Sequence, residues 1–282
     1  MILITGATGN VGAALAQILA SQGTPVRLGV HRLSAGATVP PGSELVRCDF
    51  ADPSSFAPAL CGVARLFLVR PPAITNTQRY LNPFIDAARH AGVQQIVFLS
   101  LLGAARNPVV PHYAVERYLE RSDVGWTLLR PSFFMQNLST THRREIRDLH
   151  EIIVPAGAGR TSFIDVRDIA AVAARTLSEP GHIGQAYTLT GDEALSYHNV
   201  AQILSATLER PIQYRQPSLL RFIRYRRSQG DAWAYIAVMV GIYSTARLGR
   251  AATITPTTRT MLGRPAIRFA QFSADHRTAW RG

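Results

Sequence analysis

Thr5-Gly6-Ala7-Thr8-Gly9-Asn10-Val11-Gly12 joins an apolar run, Ile2–Ile4, to a segment whose Val11, Leu15, Ile18 and Leu19 recur at helical spacing. The run before it predicts a strand, and the segment from Val11 to Gln22 predicts a helix. Glycines at such a junction let the backbone turn sharply and approach a pyrophosphate at the positive end of the helix. The spacing is Gly-x-x-Gly-x-x-Gly, not the commoner Gly-x-Gly-x-x-Gly, but the strand-to-helix context is the one this chemistry needs. Gly6, Thr8, Gly9, Asn10, Val11 and Gly12 are therefore candidate dinucleotide contacts.

Moving outward, strand and helix patterns alternate through the first 130 residues. Strands are expected at Val26–Val30, Glu44–Arg47, Ala64–Val69, Gln95–Ser100 and Trp126–Leu129, and helices at Asn76–Ala91 and His112–Arg121. The nearly continuous apolar run of Gln95–Ser100 suits a parallel strand covered on both faces. The expected fold is α/β, a Rossmann-type doubly wound parallel sheet with a smaller, mainly helical C-terminal lobe. Residues 1–130 form the dinucleotide-binding domain in this scheme, with 151–190 returning to it. Residues 191–282, with 131–150, form a lobe capping the substrate. Late helices are expected at His198–Leu208 and Leu219–Arg247.

The second strand would place an acidic residue at its end if ribose hydroxyls were to be held. Here the strand ends Gly29-Val30-His31-Arg32, and no acid precedes Glu44. A guanidinium suits a 2′-phosphate, so Arg32, with His31 beside it, predicts NADP(H), with NADPH preferred over NADH. Asp49, after the third strand, is a candidate neighbour of the adenine or a simple turn residue.

Composition narrows the rest. With 47% hydrophobic and 17% charged residues, the chain is an ordinary globular protein. The formal charge is +12, and all 30 basic Lys/Arg residues are arginine, which excludes mechanisms that use a lysine amine. No nucleic-acid module accompanies the arginine clusters, so no nucleic-acid partner is expected. A positive field would instead gather anionic cofactors and anionic substrates. Cys48 and Cys61 form no metal or disulfide pattern. Ala232–Ala246 is too short for a comfortable membrane span and is expected as a buried helix, with no membrane role. The absence of a leader pattern at Met1 points to a cytoplasmic protein; a monomer or a homodimer is expected.

Together with the glycine loop, Phe98–Ser100 (FLS), Leu129–Asn137 (LRPSFFMQN), Phe163–Ala173 (FIDVRDIAAVA), Tyr187–Gly191 and Gly263–His276 resemble the NmrA-like group of atypical short-chain dehydrogenase/reductases. That group includes quinone reductases, azo-dye and triphenylmethane-dye reductases, phenylpropanoid reductases and inactive relatives that sense the NADP pool. The resemblance implies hydride transfer to a quinone, azo dye or similar aromatic acceptor, or alternatively a non-catalytic NADP(H)-sensing regulator. It also implies that Val69, Arg70 and Pro71 line the adenine and ribose side, that Ser100 lies near the nicotinamide, and that Phe133, Phe134 and Asn137 border the substrate.

Catalytic short-chain reductases carry a Ser, a Tyr thirteen residues on and a Lys four beyond that. Ser100, Tyr113 and Arg117 occupy those positions here. The arginine is the departure, because its planar fork does not replace an ammonium. It weakens alcohol dehydrogenation more than quinone or azo reduction, whose acceptors can take a proton late, even from water. His112 and Glu116 are neighbouring alternatives for the proton. Trp233 and Tyr235, at helical spacing with Met239 and Tyr243, either contact a flat substrate or belong to the core.

Overall fold

The computed structural model describes residues 1–33 and 39–281. It divides into two compact units, Met1–Pro131 with Val166–Leu189 and Ser132–Asp165 with Thr190–Gly282.

The first unit is built on strands β1 (Ile2–Thr5), β2 (Val26–Val30), β3 (Ser43–Arg47), β4 (Arg65–Val69), β5 (Gln95–Leu99), β6 (Gly125–Pro131) and β7 (Gln185–Leu189). Among the described residues they form one seven-stranded sheet in the order β3-β2-β1-β4-β5-β6-β7. Every pair is parallel. The connection from β3 jumps over β1 and β2 to reach β4, so the order reverses between β1 and β4, where a doubly wound sheet opens a crevice for ligands. β1 and β5 are buried along their whole length, as strands covered on both faces must be.

The sheet is flanked by α1 (Asn10–Ser21), α2 (Asn82–His90), α3 (Pro111–Glu120) and α4 (Val166–Ser178). One helix was expected over Asn76–Ala91, but the segment breaks into Thr77–Tyr80 and α2, with Pro83 in the first turn of α2. Proline is compatible with a helix start but not with an interior. On one face of the sheet Phe84 and Ile85 of α2 and Val115 and Leu119 of α3 pack with Leu66, Leu68, Ile96 and Phe98. On the other, α4 packs along α1, which returns residues 166–189 to this unit.

Residues 151–165 do not return with them. Glu151–Ile153 pairs with Gln213–Arg215, and Arg160–Thr161 pairs with Leu195–Ser196, so this stretch belongs to the second unit. The expected boundary placed it in the first because its strand pattern could not show which partner would supply the ladder. The second unit also contains α5 (Tyr197–Leu208), α6 (Leu219–Ser228) and α7 (Trp233–Arg247). The long helix expected over Leu219–Arg247 is interrupted at Gln229-Gly230-Asp231, where Gly230 takes a φ of 86° that only glycine adopts freely.

The core of this unit is aromatic, with Phe163, Tyr197, Phe222, Tyr243, Phe269 and Trp280 all enclosed. Arg226 is buried there between Glu145 at 2.8 Å and Asp231 at 2.5 Å. His142 shares a hydrogen bond with the Tyr243 hydroxyl. Burial, reinforced by the Arg226 charge, pushes the His142 pKa down to about 3. In the unfolded chain the imidazole takes up its proton from about pH 6.5 downward, whereas in the folded chain it does so only near pH 3. Its contribution is therefore complete above about pH 6.5 and falls steadily as the pH drops from there toward 3. We expect the urea midpoint to decline across that window and His142→Gln to make the decline shallower. An unchanged slope would refute this.

Candidate active site

The glycine loop lies at the reversal point of the sheet. Thr5, at the end of β1, donates its hydroxyl to the Phe67 carbonyl at 3.1 Å and accepts the Val69 N–H at 2.8 Å, locking β1 to β4. Gly6 then turns with a φ of 63°, and a Cβ on it would lie 3.0 Å from Val69 Cβ. The Gly9 N–H closes the turn onto the Gly6 carbonyl at 2.9 Å. A Cβ on Gly12 would lie 2.3 Å from the Gly6 oxygen, so α1 rests directly on the loop. Gly9 is the N-cap of α1, with no side chain capping the helix and no acid in its first turn. The first N–H groups of a helix have no partners within it, so this end offers donors and a positive dipole to an anion. Thr8, Gly9 and Asn10 are exposed there, while Val11 anchors the first turn in the core. These residues fit a dinucleotide pyrophosphate.

At the end of β2, His31 and Arg32 are exposed. Asp49 is half-buried, and its Oδ2 faces His31 Nδ1 at 3.3 Å and Arg47 Nη2 at 3.4 Å. Its Oδ1 accepts the Ala51 N–H at 2.9 Å, which makes it a turn residue as well. The acid that folding brings to the end of β2 thus faces both Arg47 and His31. Arg47 also pairs with Asp52 at 2.6 Å. Past β4, Arg70 turns back into its own loop, donating through Nη1 to the carbonyls of Pro71, Pro72 and Ile74. Its guanidinium therefore braces the segment that contains Pro71, and its buried Nε has no hydrogen-bond partner.

The Ser–Tyr–Arg set is brought together only in part. Arg117 lies 5.5 Å from the Tyr113 ring centroid, a cation–π placement, and pairs with Glu120 at 2.6 Å. Ser100 is buried and donates its hydroxyl to Glu116 Oε1 at 2.5 Å. Glu116 is fully enclosed and is gripped by Arg130 from β6 through Nε at 2.9 Å and Nη2 at 2.7 Å. This bidentate pair is what sequence reasoning missed. Glu116 was visible only as a neighbour of Tyr113, and Arg130 only as a letter in LRPSFF. The signal available was an acid at the buried helix positions Val115, Glu116 and Leu119, and a buried carboxylate requires a partner.

Burial and then the Arg70 charge press the His112 pKa down to about 3, so this histidine is neutral near pH 7 and does not act as an imidazolium acid.

In the second unit Phe133 is half-buried and meets Phe163 edge-to-face at 5.5 Å. Phe134 forms a parallel bridge with Ile164, and the Asn137 N–H donates to the Phe134 carbonyl at 3.1 Å. Trp233 and Tyr235 are 64% and 38% exposed, with Arg227 4.7 Å from the Trp233 ring and Arg226 6.0 Å from that of Tyr235. The helix that carries them is not the buried helix expected. Ile236, Met239, Tyr243 and Ala246 are buried, while Val238 and Ile242 on its other side are exposed. Among the described residues no helix is long and apolar enough to cross a membrane.

A parallel sheet in this order, with a glycine-cradled and uncapped helix at its reversal point, defines a dinucleotide-binding α/β protein of the Rossmann type. More narrowly, the chain belongs to the NmrA-like family, whose model matches residues 1–225. It is 33% identical over 288 residues to the NAD(P)H azoreductase of Xenophilus azovorans, covering 99% of each chain. Its fold matches the NADPH complex of an NADPH-dependent quinone oxidoreductase from Escherichia coli with a TM-score of 0.85, at 26% identity over 98% of this chain and 99% of that one. The negative transcriptional regulator NmrA, at 17% identity, 97% and 94% coverage and a TM-score of 0.79, shares the fold alone.

Proposed function

We propose that this chain is an NADPH-dependent reductase that passes hydride to a quinone, an azo dye or a similar flat aromatic acceptor. The observation that carries this reading is the open, glycine-cradled N-terminus of α1 followed by Arg32 where an NAD-selective protein would place an acid. Full-length similarity to an azoreductase supports it. The loop Gly6–Gly12 would hold the pyrophosphate through backbone N–H groups, and Arg32 with His31 the 2′-phosphate. Val69 and Pro71 would border the adenosine side, with Arg70 stiffening their loop. The reduced nicotinamide supplies the hydride when bound, and the protein supplies position and a proton source.

Tyr113 is the proton donor in this scheme. The Arg117 guanidinium lies over the Tyr113 ring, 5.5 Å from the centroid, whereas Ser100 is committed to Glu116 and fixes α3 against β5. Phe133, Phe134 and Asn137 would meet the acceptor. A positive field over the molecule favours acceptors bearing sulfonate or carboxylate groups. A cytoplasmic setting, as monomer or homodimer, fits a consumer of NADPH.

The test follows oxidation of NADPH, then NADH, by the purified protein against quinones, sulfonated azo dyes and triphenylmethane dyes. Steady turnover with one acceptor class supports the reading. A second reading, a protein that senses NADP(H) without turning it over, is favoured by the Ser100–Glu116 bond and the missing lysine. Tight NADPH binding with no turnover would select it.

Two substitutions sharpen the proposal. Arg32→Ala should raise the Kd for NADPH about tenfold or more, the worth of one charged hydrogen bond, and leave that for NADH unchanged. Equal effects on both would remove Arg32 from the 2′-phosphate. Tyr113→Phe should lower kcat by about a hundredfold, the low end for a positioned general acid, at constant KM for NADPH. An unaltered kcat would mean that water delivers the proton.

A further inference from the structure

Between Leu219 and Arg250 the sequence holds six arginines and a single acid, Asp231. Arg226 is buried between Glu145 and Asp231. The other five, Arg221, Arg224, Arg227, Arg247 and Arg250, are exposed. The same stretch carries several exposed aliphatic and aromatic side chains of the second unit, including its four most exposed among the described residues. Leu220 is 69% exposed, Leu248 68%, Trp233 64%, Val238 58% and Ile242 42%. On α7 the exposed arc from Trp233 through Val238 to Thr245 contains no charged residue, and alanines and Gly241 fill the spaces between its larger side chains. A contiguous apolar surface of this kind marks an interaction site.

Its chemistry selects the occupant. A second copy would set five exposed arginines against five more, so charge opposes self-association through this face. The complementary partner is anionic, with an apolar phase beneath the charges. Single aliphatic side chains that project from a helix with small residues between them need no shaped pocket, and a fluid acyl boundary accepts them. Arg227 lies 4.7 Å from the Trp233 ring centroid, placing a cation and an amphipathic aromatic at one level. Tryptophan and arginine concentrate at lipid headgroups for the same reason.

We propose that α6, α7 and the turn through Arg250 dock on an anionic phospholipid bilayer, with the arginines on lipid phosphates and the apolar arc of α7 at the acyl boundary. This mode needs no membrane-crossing helix. It is independent of the reductase reading, because its readout requires neither cofactor nor turnover.

The test is co-sedimentation of the full chain with phosphatidylcholine vesicles and with vesicles that also contain phosphatidylglycerol. Pelleting with the anionic vesicles, reversed by salt and absent with neutral ones, is the expected result. Each basic residue near such a surface contributes about fivefold to partitioning. The triple variant Arg221→Gln, Arg224→Gln, Arg227→Gln should therefore lower the partition coefficient about a hundredfold. Val238→Gln with Ile242→Gln should lower it as well, and since both sites are exposed the fold should survive, which circular dichroism checks. Trp126 is half-buried and Trp280 buried, so a blue shift of tryptophan emission on adding anionic vesicles, lost in Trp233→Phe, would place that ring in the interface. No pelleting, equal pelleting with neutral vesicles, or wild-type partitioning of either variant would overturn the proposal. So would an emission shift produced by soluble polyglutamate but not by vesicles, which would assign the face to an acidic peptide. A dimer dissolved by the α7 variant, with vesicle binding unchanged, would assign it to a second copy.

Discussion

Gly12→Ala is expected to raise the Kd for NADPH on the order of a hundredfold and to lower the melting temperature by roughly 5–10 °C. The added methyl would lie 2.3 Å from the Gly6 carbonyl oxygen, 2.8 Å from its carbon and 3.0 Å from Ala7 Cα. All three are backbone atoms, so no side chain can swing aside, and either the loop or α1 must shift. Overpacking of this kind costs about 1–3 kcal/mol. The displaced groups are the same N–H donors that would meet the pyrophosphate, so binding should suffer more than stability. Calorimetric titration with NADPH and a thermal melt check both. A variant that melts lower yet binds normally would mean that Gly12 is there for packing alone.

Arg130→Met should cost about 3–5 kcal/mol, because it strands a fully enclosed carboxylate. Glu116 would keep the Ser100 hydroxyl at 2.5 Å and Arg117 at 3.9 Å, neither of which replaces a bidentate guanidinium. The double variant Glu116→Gln, Arg130→Met should recover most of the loss, since a neutral amide is far cheaper to bury and can still accept from Ser100. Urea unfolding of the two single variants and the double variant gives the coupling. Additive losses would show that the two side chains act separately and that the pair does not hold α3 to the sheet.

The glycine cradle and the buried ion pair differ in how far the sequence exposed them. Gly6, Gly9 and Gly12 were legible because a tight strand-to-helix turn needs residues without side chains at fixed intervals, between a strand and a helix that each have their own periodicity. Arg32 was singled out through an absence, the missing acid after β2. The parallel sheet was legible in the alternation of strands and helices, whose order is constrained by right-handed crossovers.

Other features were not readable in this way. Ser100, Tyr113 and Arg117 keep the spacing of a catalytic set, yet spacing along the chain does not say where a hydroxyl points. Ser100 turns to Glu116, a carboxylate held in place by Arg130 arriving from β6. Ile152–Val154 reads as a short strand, but its partner at 213–215, like the pairing of 160–161 with 195–196, was fixed only by folding. The apolar Ala232–Ala246 gave no sign of which side it would bury, because both sides of α7 are apolar.

The sequence by itself determined the glycine cradle, the cofactor class expected of it and the sheet, since each is governed by local backbone freedom and by periodic burial. Tertiary structure alone decided which polar side chains pair in the interior and which apolar face stays in water. Those outcomes depend on groups far apart in the chain meeting where no solvent can satisfy them.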